Sequence, residues 1–510
     1  MLRRLSPILT ALLLIASPAA AQAPAAVQPA DAAAFQRAAD TVSTLAQAAS
    51  GATGMAPGMA LVMVRRGQAP VVWTHGVLAA GGEAPVTADT PFYLGGQTKA
   101  FLGLMAAKLD ANGVFSLDQS LTDVWPELTL PFGADPRALT FRQLLSQQAG
   151  LDSPDLGFRT AYADIPSAAD FPRLLSQGAV VVEPKFRSSN LGVLAYAAAL
   201  ETQTGRDWRD WLAAEVLTPA GMSRSGPSAD AWPAAERPTY HQWMGEAGWS
   251  MTPGKPEALM HAGGGLSASP ADLGRWLSVQ LGEHPEVAAP ALLAAAAAPL
   301  ATAEIKELMV CQAYALGWNI CRAGQVDVLA HGGSQIGARS AMAVSPDLGV
   351  GIAFVSNSGS LTAALSQALV EAFFNSVQDP AWTAPTPEAY RTYFDAGLAN
   401  LVRDRARRLD ARRAEDIWGG WGWTPTPADR AAYAGRYGHP VLGEVAITGG
   451  EDGALSLTYG AFSAPLEPAR ADLFAIRMEA ADLPDPVTFE RAEGGVAALE
   501  WNGRRFTRLD

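Results

Sequence analysis

The sequence predicts an α+β domain whose antiparallel sheet is assembled from both of its ends, followed by a small all-β domain. Three observations carry this. Strand-like text stands at 58–79 and again at 326–356, with mostly helical text between. Helical periodicity flanks the two strand blocks, at 31–50 and 361–377. From about residue 428 the texture changes to short alternating segments separated by Gly and Asp turns. Segregated blocks of this kind point to layered packing rather than to alternating βαβ units.

The chain opens with "MLRRLSPILTALLLIASPAAA". Arg3 and Arg4 give a basic start, Ile8 to Ile15 a short apolar stretch, and Ala19 to Ala21 a small-residue run. This reads as a secretory signal peptide over 1–21. The apolar stretch is shorter than the ~20 residues that a membrane span needs. The expectation is an exported, periplasmic or extracellular protein with no membrane span in the mature chain. An Ala/Pro/Gln-rich flexible segment (22–30) follows, and the α+β domain is expected over 31–377.

Within that domain, 58–79 reads as two strands around the turn Arg66-Gly67-Gln68. Helices are expected through much of 98–280. "VDVLAHGG" (326–333) returns to strand, and "RSAMAVSPDLGVGIAFVSN" (339–357) reads as a hairpin turning at Pro346-Asp347-Leu348-Gly349. Residues 378–427 read as a helical linker. It contains "APTP", a charged helix at 402–416 and "WGGWGWTPTP". Acidic residues interleave with the arginines, so that helix is expected to be solvated rather than a basic binding face. The three tryptophans are expected to pack between domains. Residues 428–510 form the all-β domain, a sandwich or a barrel.

Composition limits the function. Of 510 residues, 49% are hydrophobic and 17% charged, which suits a large buried core. A formal net charge of -13 argues against nucleic acid or anionic membrane as a partner held by bulk charge. The six histidines show no H-E-x-x-H or clustered ligand spacing, there is no G-x-S-x-G elbow, and no cofactor is expected. Two cysteines, Cys311 and Cys321, flank an apolar segment suited to a strand. In an oxidising compartment they could pair or remain buried thiols, and the sequence leaves both open.

The chemistry concentrates in "LGGQTKAFLGLMAAKL" (94–109). Phe101, Leu104, Met105 and Leu109 share one helical face, and Lys99 falls in the first turn. A cation there opposes the helix dipole. Dipole and burial together would lower the pKa of the amine and suit it to act as a base.

The text around Lys99 resembles the S-x-x-K region of the penicillin-binding and serine β-lactamase family. The likeness continues in order through "LTFRQLLSQQAGL" (139–151), "FRSSNLGVLAYAAALETQTGRDW" (186–208), "TPAGM" (218–222), "HAGGGLSASPADLGRWL" (261–277) and "LGWNI" with "HGGSQIG" (331–337). It covers roughly residues 35–375. The resemblance implies a β-lactamase/transpeptidase-like domain, here with an appended β domain.

It also implies roles. Lys99 matches the lysine, Asn190 the asparagine of the Tyr-x-Asn motif and His331 the third motif, with Gly332 and Gly333 beside it on a substrate-binding edge strand. Gly96 falls at the nucleophile position and Ser188 at the tyrosine position. The family mechanism needs a hydroxyl to attack an acyl carbon and a tyrosine to shuttle the proton. Both groups are replaced. The first expectation is therefore a protein that keeps a pocket for a peptide, amide or ester ligand, cell-wall derived for example, without the acyl-serine mechanism. The alternative is an active amide or ester hydrolase that uses water, or a relocated Ser188 or Ser189. A third has the β domain as the functional part.

Overall fold

The structure is a computed structural model and describes residues 27–509 except 229, 253, 336, 451 and 452. The expected signal peptide lies outside the described residues.

Helix α1 (Ala32–Ser50) begins at Asp31, whose carboxylate accepts the Ala34 N–H as an N-cap. Strands β1 (Gly58–Arg65) and β2 (Val71–Gly76) form the first hairpin. Helix α2 (Thr98–Ala111) and helix α3 (Leu191–Thr204) lie in the helical middle. Six further strands follow: β3 (Ala301–Lys306), β4 (Val310–Tyr314), β5 (Asn319–Ala323), β6 (Val326–Gln335), β7 (Ala338–Ser345) and β8 (Val350–Ser356). All pair antiparallel in the order β3-β4-β5-β6-β7-β8-β1-β2. The N-terminal hairpin therefore docks on the last strand, with Leu61 opposite Phe354, and the sheet is made from both ends of the domain.

Two apolar layers cover the sheet. One face packs α1 and α4 (Thr362–Gln378), with Phe35 edge-on to Phe373. The other face packs the helical middle, with α2 at its centre. The sequence suggested an amphipathic α2. Instead it is buried almost all round, and Phe101 stacks on Trp276 at 3.8 Å between ring centres. A helix enclosed on every side puts its first turn, and Lys99, deep in the molecule.

Strands β3 to β5 were not delimited by the sequence. Bulges between Thr302 and Ile305 and between Cys311 and Ala313 break their alternation, which hides the period-two signal. Cys311 stands opposite Cys321 in the β4–β5 pair, and the two are joined by a disulfide.

The expected helical linker is more than a tether. Its helix, α5, runs from Pro387 to Arg413 rather than starting at 402. Tyr390, Phe394 and Leu398 bury into the α1–α4 layer, and only the later turns are the solvated, charged helix. Beyond it, Trp418 and Trp421 stack on each other and donate to the carbonyls of Arg412 and Arg413 at 2.7 Å. Trp418 packs on Ala469 and Leu473 of the following domain.

That domain is a closed eight-stranded barrel spanning Gly435–His439 to Arg504–Arg508. Its core extends into the first domain: Phe158, from the helix Pro154–Tyr162, lies 5.6 Å from Tyr459 and 5.2 Å from Trp501. Arg504 pairs with Asp155 of the same helix at 2.8 Å. No helix among the described residues is long and apolar enough to cross a membrane.

Candidate functional site

A cleft of about 350 Å³ opens where the first turn before α2, the edge of β6, the loop before α3 and the segment 261–264 meet. Lys99, Asn190, His331, Gly332, Gly333, Gly96 and Ser188 all line it. Residues far apart in sequence are thus brought together as the motif order implied. Ser189 is not among the lining residues. Its hydroxyl donates to Asp152 at 2.8 Å and accepts the Leu191 N–H at 3.1 Å, a local anchoring role at the start of α3.

Gly95–Gln97 forms a tight 3₁₀ turn leading into α2. Gly95 has φ +55°, and a Cβ there would stand 2.8 Å from the Ser334 N, so the position demands glycine. Gly96 differs: its φ is ordinary, and a Cβ would point into the cleft, 3.7 Å from Lys99 Nζ and 3.2 Å from His331 Cε1 and Gly332 O. A side chain at 96 would stand between the lysine and the histidine. Strand β6 lies inside the sheet, between β5 and β7, rather than at an edge as the resemblance implied. Strands β6 and β7 approach this turn closely, since Ser340 Oγ donates to Leu94 O at 2.7 Å and a Cβ on Gly333 would meet that carbonyl at 1.9 Å. Gly333 is therefore required by packing as well as lining the cleft.

Lys99 is buried, and its ammonium donates to Gly263 O at 3.0 Å. Burial lowers its pKa to about 8, partly opposed by the Glu307 carboxylate. Its folded pKa thus lies below the 10.5 of a free lysine, so the unfolded chain binds more protons between about pH 8 and 10.5 and stability rises with pH there. Lys99→Met is accordingly expected to stabilise the protein near neutral pH, with the gain shrinking toward about pH 10. Urea unfolding of both proteins at the two pH values checks this; an equal gain at both would mean that charge burial is not the cause.

His331 is buried and directs Nδ1 at Gly332 O, 2.6 Å away. Burial pulls its pKa down, against the pull of Glu307. A neutral ring held this way keeps Nε2 as an acceptor. The Asn190 side chain packs against Gly263, with Oδ1 2.8 Å from where a Cβ would sit.

Further side chains that sequence reasoning did not assign also line the cleft, among them Tyr93, Tyr162, Lys255, His261, Glu307 and Ser334. Lys255 Nζ reaches Gly264 O at 3.2 Å and Tyr93 Oη at 3.4 Å. Tyr93 also donates to Gly264 O, and burial raises its pKa. Burial and the nearby Lys99 lower Lys255 to about 7. His261 accepts the Gly263 N–H at Nδ1, and its pKa is lowered, chiefly by burial. The segment 261–264 is thus a hub contacted by both lysines. Tyr93 and His261 stood inside recognisable segments, while Lys255, in "TPGKPEALM", carried no signal of spacing or periodicity.

The fold and this arrangement define the class, a β-lactamase/transpeptidase-like domain with its cleft between helix α2 and the end of strand β6. The Beta-lactamase family profile matches residues 38–373, and the chain belongs to that family. Among curated relatives it is 26% identical over 314 residues to unguisins hydrolase ungD' of Aspergillus campestris, covering 59% of this chain and 58% of that protein. It is 25% identical over 237 residues to a β-lactamase of Escherichia coli, covering 44% and 56%. The matched region therefore spans less than two thirds of the length of either relative. Among solved structures, the octameric penicillin-binding protein homologue from Pyrococcus abyssi superposes with a TM-score of 0.57 at 17% identity, over 93% of this chain and 99% of that one. SurE with D-Leu gives 0.54 at 22%, over 94% and 100%. D-amino acid amidase from Ochrobactrum anthropi with D-phenylalanine gives 0.57 at 18%, over 67% and 99%. These likenesses are of fold.

Proposed function

We propose that this is an exported β-lactamase-family protein that binds a peptide, amide or ester ligand in the cleft and does not use the family's acyl-serine mechanism. One observation carries the reading. Gly96 leaves an empty place between Lys99 Nζ and His331, where an attacking hydroxyl would need to stand. Where a nucleophile and its base act as a unit, loss of the nucleophile alone costs about 10⁶ in turnover. Retention of Lys99, Asn190 and His331 around the gap supports continued ligand binding. The solved neighbours described with D-Leu and D-phenylalanine fit a ligand of amino-acid or peptide type, and the leader-like residues 1–21 fit export, with cell-wall fragments among the available ligands.

A second reading has its own observation. With its pKa lowered to about 8, Lys99 is neutral in about a tenth of the molecules at about pH 7, and that fraction could activate a water in the space at Gly96. Of Ser188 and Ser189, Ser188 is the one that lines the cleft, exposed on its rim. Pre-steady-state hydrolysis of a p-nitrophenyl ester separates these. The first reading expects neither burst nor turnover above background. Attack by water gives slow linear turnover without a burst, and an acylated Ser188 gives a burst equal to the enzyme concentration.

A further inference from the structure

We propose that the cleft's ligand carries a carboxylate, and that this anion is held on the side of the cleft formed by residues 255–264, by Lys255, His261 and Lys99, rather than on strand β6. This rests on the cleft being a ligand site and adds the chemical class of the ligand and the place of its charge.

The argument is one of unmatched charge. Two buried lysines converge on one short segment, Lys99 on Gly263 O and Lys255 on Gly264 O. An ammonium has three donors, and a carbonyl satisfies one without neutralising it. Buried charges are normally paired, because an unpaired one is costly. The Tyr93 hydroxyl is the other partner of Lys255, and it is neutral. His261 is neutral but adds a donor: with Nδ1 accepting from Gly263, its Nε2 carries a proton. Arg209 stands behind it, held on Met260 O at 2.6 Å and paired with Asp207 at 3.1 Å, so its charge is already matched.

The opposite wall is already compensated. Glu307 is the one carboxylate among the described lining residues, and it accepts from Asn319 at 2.6 Å. It lies beside Gly332 and the Arg339 guanidinium and acts on His331 and on Lys99, so Lys99 is partly compensated and Lys255 is the lysine with no carboxylate beside it. The Gly95–Gly96 turn sits between the two walls, touching Ser334 and Gly332 on one side and the Gly264 position on the other. The counter-ion is therefore missing on the Lys255 side, and an oxyanion there could meet both ammonium groups and an imidazole N–H. A cleft of about 350 Å³ suits a carboxylate on an amino-acid- or dipeptide-sized molecule.

Anion binding should be linked to protonation. Burial lowers Lys99 to about 8, and burial together with Lys99 lowers Lys255 to about 7. A bound carboxylate favours their charged forms, so binding takes up protons and weakens as pH rises through that interval. His261 and His331 are lowered and remain neutral there.

The test is calorimetric titration of the full chain with N-acetyl-D-leucine and with its carboxamide. At about pH 6 the acid is expected to bind at least about ten-fold more tightly than the amide, with the advantage gone by about pH 9. Lys255→Met should remove most of the advantage of the acid, leaving the share held by Lys99 and His261. Lys255→Arg, which stays charged, should keep the advantage of the acid at the higher pH. If Lys255→Met does not fold, the pH profile of Lys255→Arg decides. Equal affinities at about pH 6, or no binding of either compound at millimolar concentration, overturns the proposal. An undiminished advantage in Lys255→Met overturns the placement of the charge. An acyl adduct on the wild type would sink the functional reading but leave this comparison intact.

Discussion

Gly96→Ser combined with Ser188→Tyr is expected to create a protein that is acylated by a penicillin or an activated ester. Gly96→Ser alone should be acylated about 10²–10⁴ times more slowly, the usual share of general acid–base catalysis. The geometry favours this outcome. The backbone at 96 is not left-handed, and the new Cβ would point toward Lys99 Nζ at 3.7 Å. Its contacts with His331 Cε1 and Gly332 O at 3.2 Å are tight, so the imidazole must move by a few tenths of an ångström. Gly95 offers no substitute site, being held left-handed against Ser334. Intact-mass spectrometry over time gives the acylation rates. A folded double variant that stays unmodified would mean that the cleft has diverged beyond these two positions.

Phe158→Ala is expected to cost roughly 3–5 kcal/mol, the range for emptying a buried aromatic site. Phe158 belongs by sequence to the first domain and by packing to the barrel, between Tyr459 and Trp501 and under the Arg504 guanidinium at 4.6 Å. Its neighbours in the chain, Ala161 and Tyr162, line the cleft. A loosened junction should therefore weaken ligand binding as well as lower stability. Urea unfolding measures the first effect and titration of N-acetyl-D-leucine the second. Phe158→Leu, which leaves a smaller cavity, should lose less of both. A loss below about 1 kcal/mol would show that the junction relaxes around the gap.

The first domain was legible because its signals are local and repeated. The β1–β2 and β7–β8 hairpins carry turn residues at their tips, and α1 and α4 carry an apolar period. Lys99, Asn190 and His331 could be placed together because ordered motifs imply a shared cleft. Bulges hid β3 and β4, since a shifted register erases alternation. The start of α5 was hidden differently. Thr386 and Pro387 form an N-cap and first turn, but their place in a proline-rich run made them read as linker. Tyr390, Phe394 and Leu398, four residues apart, were the signal that could have corrected it. Lys255 had no such signal. Its role comes from its place beside Gly264 and Tyr93, which only tertiary closure creates.

The central claim is that the chain keeps its cleft without an acyl-accepting hydroxyl. Intact-mass spectrometry of the wild-type protein after prolonged incubation with benzylpenicillin, followed by peptide mapping, tests it most directly. The account predicts an unchanged mass at every time point. A stoichiometric acyl adduct that maps to Ser188 would contradict it and identify a relocated nucleophile.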